Sequence, residues 1–333
     1  MLQVIRAGAA ALPGFVFGEP RVAPIRPDRE HEVVLPDGRR VGAAEFGERS
    51  SLPLVYLHGF LGSRLEPGAV DRRFVNIIGL DRPGYGRSDP QPQRSLAAFG
   101  RDVRDALDRL GVGRCVLAGA SAGAPYAVAA AHALGPRVLR LVLIAGVAGP
   151  DVLLRTRGTA DIIVRLAAER WGRGRLLHGW FRLARRTGLD RTLLGLAVTS
   201  ELRSLARHGL SGPFVHERLL QSLRAGNDRW LRGVMADALV LTRPWDVDPA
   251  EVAADALVLH GTADPAVPVE HAYWYAARLP RARVEISPGE RHLSLCFAST
   301  DMVQRIVQEL AATTPAEGGW REPATATPQA EVG

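Results

Sequence analysis

The stretch 115–131, CVLAGASAGAPYAVAAA, constrains this chain more than any other part of it. A short apolar run (115–118) reads as a fully buried strand, and an Ala-rich run after it reads as a helix. Gly119-Ala120-Ser121-Ala122-Gly123 lies between them. A strand that turns at once into a helix forces a strained backbone with φ > 0 on the residue at the corner, so the neighbours of that residue must be small. All four neighbours of Ser121 are Gly or Ala, and Pro125 falls in the first helical turn, where a missing N–H costs nothing. The corner presents the serine hydroxyl beside a helix N-terminus, whose free N–H groups and positive dipole end suit a developing oxyanion. A Gly-rich βα turn that only packs helix on sheet is the plainer reading, and partners elsewhere in the chain decide between the two.

Tracing the chain supplies the surroundings. Residues 1–30 are Pro- and Gly-rich and read as an N-terminal arm. HEVVLP and RRVGAAEFG flank Asp37-Gly38, a hairpin signal. Buried apolar runs at 52–57, 74–80, 115–118, 139–145 and 256–260 predict strands, 283–287 reads as a last strand, and residues 95–110 carry a helical stripe of Leu96, Phe99, Val103, Ala106, Leu107 and Leu110. Uniformly apolar strands alternating with helices predict an α/β fold with a mostly parallel, doubly wound sheet. Ligands in such sheets bind at the carboxyl ends of strands. His58-Gly59, Asp81-Arg82-Pro83, Ser121 and the loop after Ala145 all fall at such ends.

From 147 to 245 strand-like runs vanish. Amphipathic segments at 162–171, 176–186, 193–208 and 215–223 predict an inserted helical cap between core segments 31–146 and 246–312. A helix at 270–279 and a C-terminal helix at 300–311 complete the core. Residues 313–333, rich in Pro, Thr, Ala and Glu, read as a disordered tail.

A serine hydroxyl needs a base to take its proton, and the base works best when a carboxylate orients it. In sheets of this kind the chain order is Ser, acid, His. His271 falls inside a helix behind the sheet, whereas His292 follows the last strand in a loop at the same edge as Ser121. Asp264, just past a strand, is the preferred acid; its alternative role is turn formation before Pro265, and Asp151 is the fallback acid.

With these pieces in place the chain resembles the α/β-hydrolase superfamily, and specifically its cap-bearing serine hydrolases. The matching segments are HGFLGSR (58–64), DRPGYGRSD (81–89), GASAG (119–123), GTADPAVP (261–268) and GERHLSL (289–295). The resemblance implies Ser121 as nucleophile, His292 as general base and acid, and Asp264 as its orienting partner. It also implies an oxyanion hole from the N–H groups of Phe60 and Ala122, and neither cofactor nor metal. The expected activity is cleavage of a carboxylic ester, lactone or thioester through an acyl-enzyme. C–C hydrolysis, acyl transfer, perhydrolysis and cyclisation use the same residues, and a non-catalytic ligand-binding protein is the reading from another class. A serine at the elbow argues against epoxide-hydrolase or dehalogenase chemistry. Two positions depart from the common pattern: Leu61 stands where a proline is frequent, and Arg291 where a glycine often precedes the histidine. His58 is expected to be a structural member of its loop, with substrate contact as its second role.

Charge and aromatic content bear on the substrate. All 42 basic residues are arginine, and residues 150–245 carry 17 of them against 8 acidic residues, so this +9 stretch accounts for the whole net charge of +7. A solvated arginine face is the plainer reading; attraction of an anionic or carrier-bound substrate, or of an anionic membrane surface, is the functional one. Trp171, Trp180, Trp230 and Trp245 lie in the same stretch and read either as core or as the lining of an apolar pocket for a sizeable substrate, with Leu61, Trp171, Trp180 and Arg291 as further candidate contacts. No basic stripe with interleaved aromatics, zinc pattern or helix-turn-helix signature points to nucleic acid. Two cysteines, Cys115 in a predicted core strand and Cys296, make no disulfide framework, no apolar run is long enough to span a bilayer, and a cytoplasmic location is the expectation. The oligomeric state stays open.

Overall fold

The structure, a computed structural model, describes residues 22–49, 52–69, 76–169, 183, 186–227, 232–314 and 319–320. Eight strands form one sheet: β1 (Arg29–Val34), β2 (Arg40–Phe46), β3 (Leu54–Leu57), β4 (Ile77–Leu80), β5 (Cys115–Ala120), β6 (Val138–Ile144), β7 (Ala256–Gly261) and β8 (Ala282–Ser287). They lie in the order β1-β2-β4-β3-β5-β6-β7-β8. β2 pairs antiparallel with both β1 and β4, and every other pairing is parallel. The hairpin forms where Asp37-Gly38 predicts it, with Gly38 at φ 84°.

β5 explains why its sequence is apolar without alternation. Cys115 and Leu117 point into the core cluster that holds α1 (Leu96–Leu110) and α2 (Ala124–Leu134), while Val116, Ala118 and Ala120 point into the cluster on the other face. Both faces are covered, so a polar residue at any of these positions would be buried without a partner. α1 begins at a Ser95 N-cap, whose hydroxyl accepts from Ala98 N–H, and ends at Gly111 in the left-handed conformation.

Between β6 and β7 the described residues form helices and loops but no strand, the α-helices being α3 (Pro150–Leu153), α4 (Thr159–Glu169), α5 (Leu189–Ser200), α6 (Leu202–Arg207), α7 (Gly212–Gly226) and α8 (Arg232–Leu241). The segment expected as one helix over 193–208 breaks at Glu201, whose φ of −108° and ψ of 1° lie outside the helical range. α8 has no counterpart in the sequence reading, because its buried set includes Asp237 among apolar side chains. The segment expected at 176–186 falls largely outside the described residues.

After β7 come α9 (Glu270–Ala276), β8 and α10 (His292–Thr313). α10 starts well before the expected residue 300, so His292 is not a loop residue but the first residue of a helix. Its first turn carries Ser294 and its N-terminal amides find a carboxylate acceptor from the insertion, a long-range partner that no local pattern announces. The expected tail is also anchored in part. Trp320 pairs in an isolated bridge with Val112 and lies 4.6 Å beneath the Arg49 guanidinium. At the other end the arm docks through Ile25, which is buried and whose N–H donates to Gln221.

Candidate active site

Ser121 sits at the corner between β5 and the helical turn Ser121–Gly123 that leads into α2, with φ at 52°. This is the left-handed backbone that the small neighbours anticipate. Gly123 is required by close approach: a Cβ there would meet Leu57 O at 2.2 Å. The corner is thereby pressed against the end of β3, and Ser121 Cβ lies 3.6 Å from the position a Cβ on Gly59 would take.

The loop after β3 is held from behind. Arg82, fully buried, donates from Nη1 to His58 O and from Nη2 to Gly59 O at 3.2 Å. The Tyr85 hydroxyl lies 2.7 Å from Phe60 O and 2.8 Å from Asp237 Oδ2. Three consecutive carbonyls are therefore turned to one side. In a planar trans peptide the C=O and N–H point in opposite directions, so Phe60 N–H is directed away from Arg82. His58 has no ring nitrogen to spare: Nδ1–H donates to Gly59 O at 2.8 Å, and Nε2 accepts Arg82 N–H at 3.2 Å. Burial, then the charge of Arg82, hold its imidazole well below the ordinary histidine range, so it is neutral. It is a structural member of the loop and does not line the cavity beside Ser121.

Asp264 follows β7 and is fully buried. Its Oδ1 accepts Ala266 and Val267 N–H at 2.8 and 2.9 Å, and its Oδ2 accepts His292 Nδ1–H at 2.7 Å. The turn-forming role and the histidine-facing role are thus filled by separate oxygens of one carboxylate. Burial raises the Asp264 pKa, but the His292 charge, its hydrogen bond and Val267 N–H outweigh it and leave the carboxyl below its ordinary value. With an ionised acceptor at Nδ1, His292 keeps its proton there and its Nε2 lone pair free. Burial pulls the imidazole down, while Asp264, then Glu201 and Glu66, push it up; the outcome is a raised pKa. His271 and Asp151 stand elsewhere. His271 Nδ1 accepts Ala148 N–H and its Nε2 faces Thr156, while Asp151, half-exposed, accepts from Trp274 Nε1 and Arg278.

Ser121 and His292 are walls of the same cavity, of about 310 Å³, with no hydrogen bond yet joining them. Its floor is the loop Gly59–Gly62, and Leu194, Leu219 and Leu223 enter from the insertion with Phe297 from α10. Of the candidate contacts, Leu61 lines the cavity and Arg291 does not; Trp171 and Trp180 lie outside the described residues. Trp245 packs edge-on against Trp274, 5.1 Å between centroids, rather than facing the cavity. No arginine is among the described lining residues. Sequence reasoning missed Glu66, whose Oε1 accepts the Tyr56 hydroxyl at 2.6 Å and whose carboxyl faces both Gly59 N–H and the cavity. Burial pushes that carboxyl up from its ordinary value, although Tyr56 and Gly59 pull the other way. A lone Glu between Leu65 and Pro67 carries no local signal of burial.

The family model described as "Alpha/beta hydrolase family" matches residues 54–308, more than half of the chain. The chain belongs to the alpha/beta hydrolase family. Among relatives of this alpha/beta hydrolase, the uncharacterised protein Rv2715 of Mycobacterium tuberculosis is 29% identical over 258 residues, 74% of this chain and 70% of that protein. In solved structures the same fold recurs in a thermophilic esterase from Thermogutta terrifontis, at 23% identity and TM-score 0.58, covering 86% of this chain and 98% of that one. It recurs too in an alpha/beta hydrolase fold protein from Nakamurella multipartita, at 20% identity and TM-score 0.62, covering 87% and 100%. No helix among the described residues is long and apolar enough to cross a membrane.

Proposed function

We propose that this alpha/beta hydrolase is a serine hydrolase that cleaves a carboxylic ester, lactone or thioester of a sizeable apolar small molecule through an acyl-enzyme. The observation that carries the reading is the 2.7 Å bond from His292 Nδ1 to Asp264 Oδ2 on the wall of the cavity that Ser121 also lines. That bond fixes the tautomer, so Nε2 is the atom available to take the Ser121 proton. Oγ attacks the substrate carbonyl, and the oxyanion is met by the amides of Phe60 and Ala122. The first is turned outward by its carbonyl neighbours, and the second lies in a first helical turn where N–H groups have no intrahelical acceptor. His292 then passes its proton to the leaving oxygen or sulfur. A water deprotonated by His292 releases the acid and restores Ser121.

The helices between β6 and β7 act as a cap, since Leu194, Leu219 and Leu223 close the cavity over the sheet edge. The apolar walls and the lack of arginine among the described lining residues favour a neutral, medium-length acyl or alkoxy group over an anionic one. A fluorophosphonate probe tests the chemistry: it labels the wild-type chain and not Ser121→Ala, and p-nitrophenyl ester turnover falls at least ~1,000-fold in that variant. Labelling that survives the substitution refutes the reading. Neutral His292 is the active form, so activity is lost as pH falls through its pKa, and the net pull of Asp264, Glu201 and Glu66 against burial moves that acid limb upward from the ordinary histidine value.

A further inference from the structure

The corner between α5 and α6 reaches across to the start of α10. Glu201 Oε2 accepts Leu293 N–H at 2.8 Å and Ser294 N–H at 3.0 Å, two first-turn donors that have no acceptor within their own helix. On the other side of His292, Arg207 Nη2 donates to Gly289 O at 2.9 Å and lies 3.0 Å from Glu290 Oε1, while His208 Nε2 stands 3.2 Å from the same oxygen. Ser294 ties the two sides together. Its hydroxyl donates to Glu290 Oε2 at 2.7 Å and accepts Arg291 N–H at 3.1 Å. The backbone on both sides of His292 is thus gripped by residues 201–208, which belong to the insertion and not to the sheet. Glu201 is 4% exposed, so its bonds are shielded from water.

We propose that Glu201 is a positioning residue for His292: its carboxylate, carried by the insertion, fixes the first turn of α10 and adds a second negative charge near the imidazole beyond that of Asp264. The inference rests on the reading of His292 as the general base. The insertion then does more than roof the cavity, because an insertion displaced from the α5–α6 corner would leave the histidine without its backbone anchor. The titratable and charged groups near His292 are Asp264 after β7, His260 at the end of β7, Glu66 after β3 and Glu201 with Arg291 beside it, and Cys296 lines the same cavity one turn along α10. His260 is buried and donates from Nε2 to Val267 O, and the groups that favour the charged imidazole of His292 are the carboxylates Asp264, Glu201 and Glu66. Removing one of them destabilises the imidazolium and moves the titration of His292 to lower pH.

The test uses the full chain with histidine labelled for NMR, in wild type, Glu201→Gln and Glu201→Ala. Glutamine keeps an acceptor for the two amides and loses the charge. Expected for it are a His292 titration and an acid limb of kcat/KM on a p-nitrophenyl ester that both move to lower pH, with the melting temperature little changed. Alanine also loses the cap, and kcat falls about tenfold with KM less affected. A role confined to helix stability would lower the melting temperature without moving the titration. A Glu201→Gln protein whose His292 titration and acid limb stay in place, or move to higher pH, overturns the proposal. The NMR arm reads without turnover, so failure of the serine-hydrolase reading is separately visible in the fluorophosphonate result.

Discussion

The sheet and the helical insertion are held in place by different physics. At the sheet, Ser121 and Asp264 stand at the ends of β5 and β7, strands whose side chains are buried on both faces, so non-directional burial places those strand ends. The described part of the insertion adds a few directional, buried polar links to its own apolar contacts. Asp237 on α8 accepts from Arg82, Arg94 and Tyr126 and lies beside the Tyr85 hydroxyl; Ser222 on α7 meets Ser63 at 3.0 Å; Asn227 donates to Leu61 O at 2.9 Å. Apolar packing makes a layer adhere, whereas charge-assisted bonds choose one register for it. That is useful where an insertion must set the loop after β3 and the helix carrying His292 to a fraction of an ångström.

The largest effect should come from breaking the central link. Asp237→Ala leaves the Arg82 and Arg94 guanidinium charges buried without their carboxylate partner and is expected to lower the unfolding free energy by about 3–5 kcal/mol in urea denaturation. Leu117→Ala, in the middle of β5 and fully buried, provides the apolar reference at about 2–5 kcal/mol. Should Asp237→Ala cost clearly less than Leu117→Ala, the insertion is held by its apolar contacts and the contrast drawn above fails.

A smaller effect sharpens the comparison on the catalytic side. Arg82→Lys keeps the charge beside Asp237 but loses the fork that reaches His58 O and Gly59 O together, so kcat for ester cleavage should fall about tenfold while KM changes less. Stopped-flow measurement of acylation would read this directly; an unchanged acylation rate would mean that the loop keeps its carbonyls turned without the guanidinium. Smallest of all is the exposed pair Arg281–Asp255 at the base of β7 and β8. Its partners are 59% and 52% exposed, and Arg281→Ala should change thermal stability by less than about 0.5 kcal/mol. A larger loss there would show that surface pairing, and not burial, makes the difference between the two regions.

The sequence by itself determined the sheet, the corner at Ser121 and the candidate acid and base. Each is a local matter: apolar runs without alternation mark doubly covered strands, four small residues mark a left-handed corner, and short segments such as GTADPAVP carry the turn in which Asp264 sits. The start of α10 was legible only as a place near His292, because its N-terminal amides are satisfied by Glu201, 92 positions away in the chain. Glu66 and Asp237 were equally hidden, since a single acidic residue is written the same way whether it meets water or two arginines. Which charges are buried, which carbonyls are turned and what anchors the histidine are decided by contacts between distant segments. Local propensity cannot encode such contacts, and only the folded chain brings them within bonding distance.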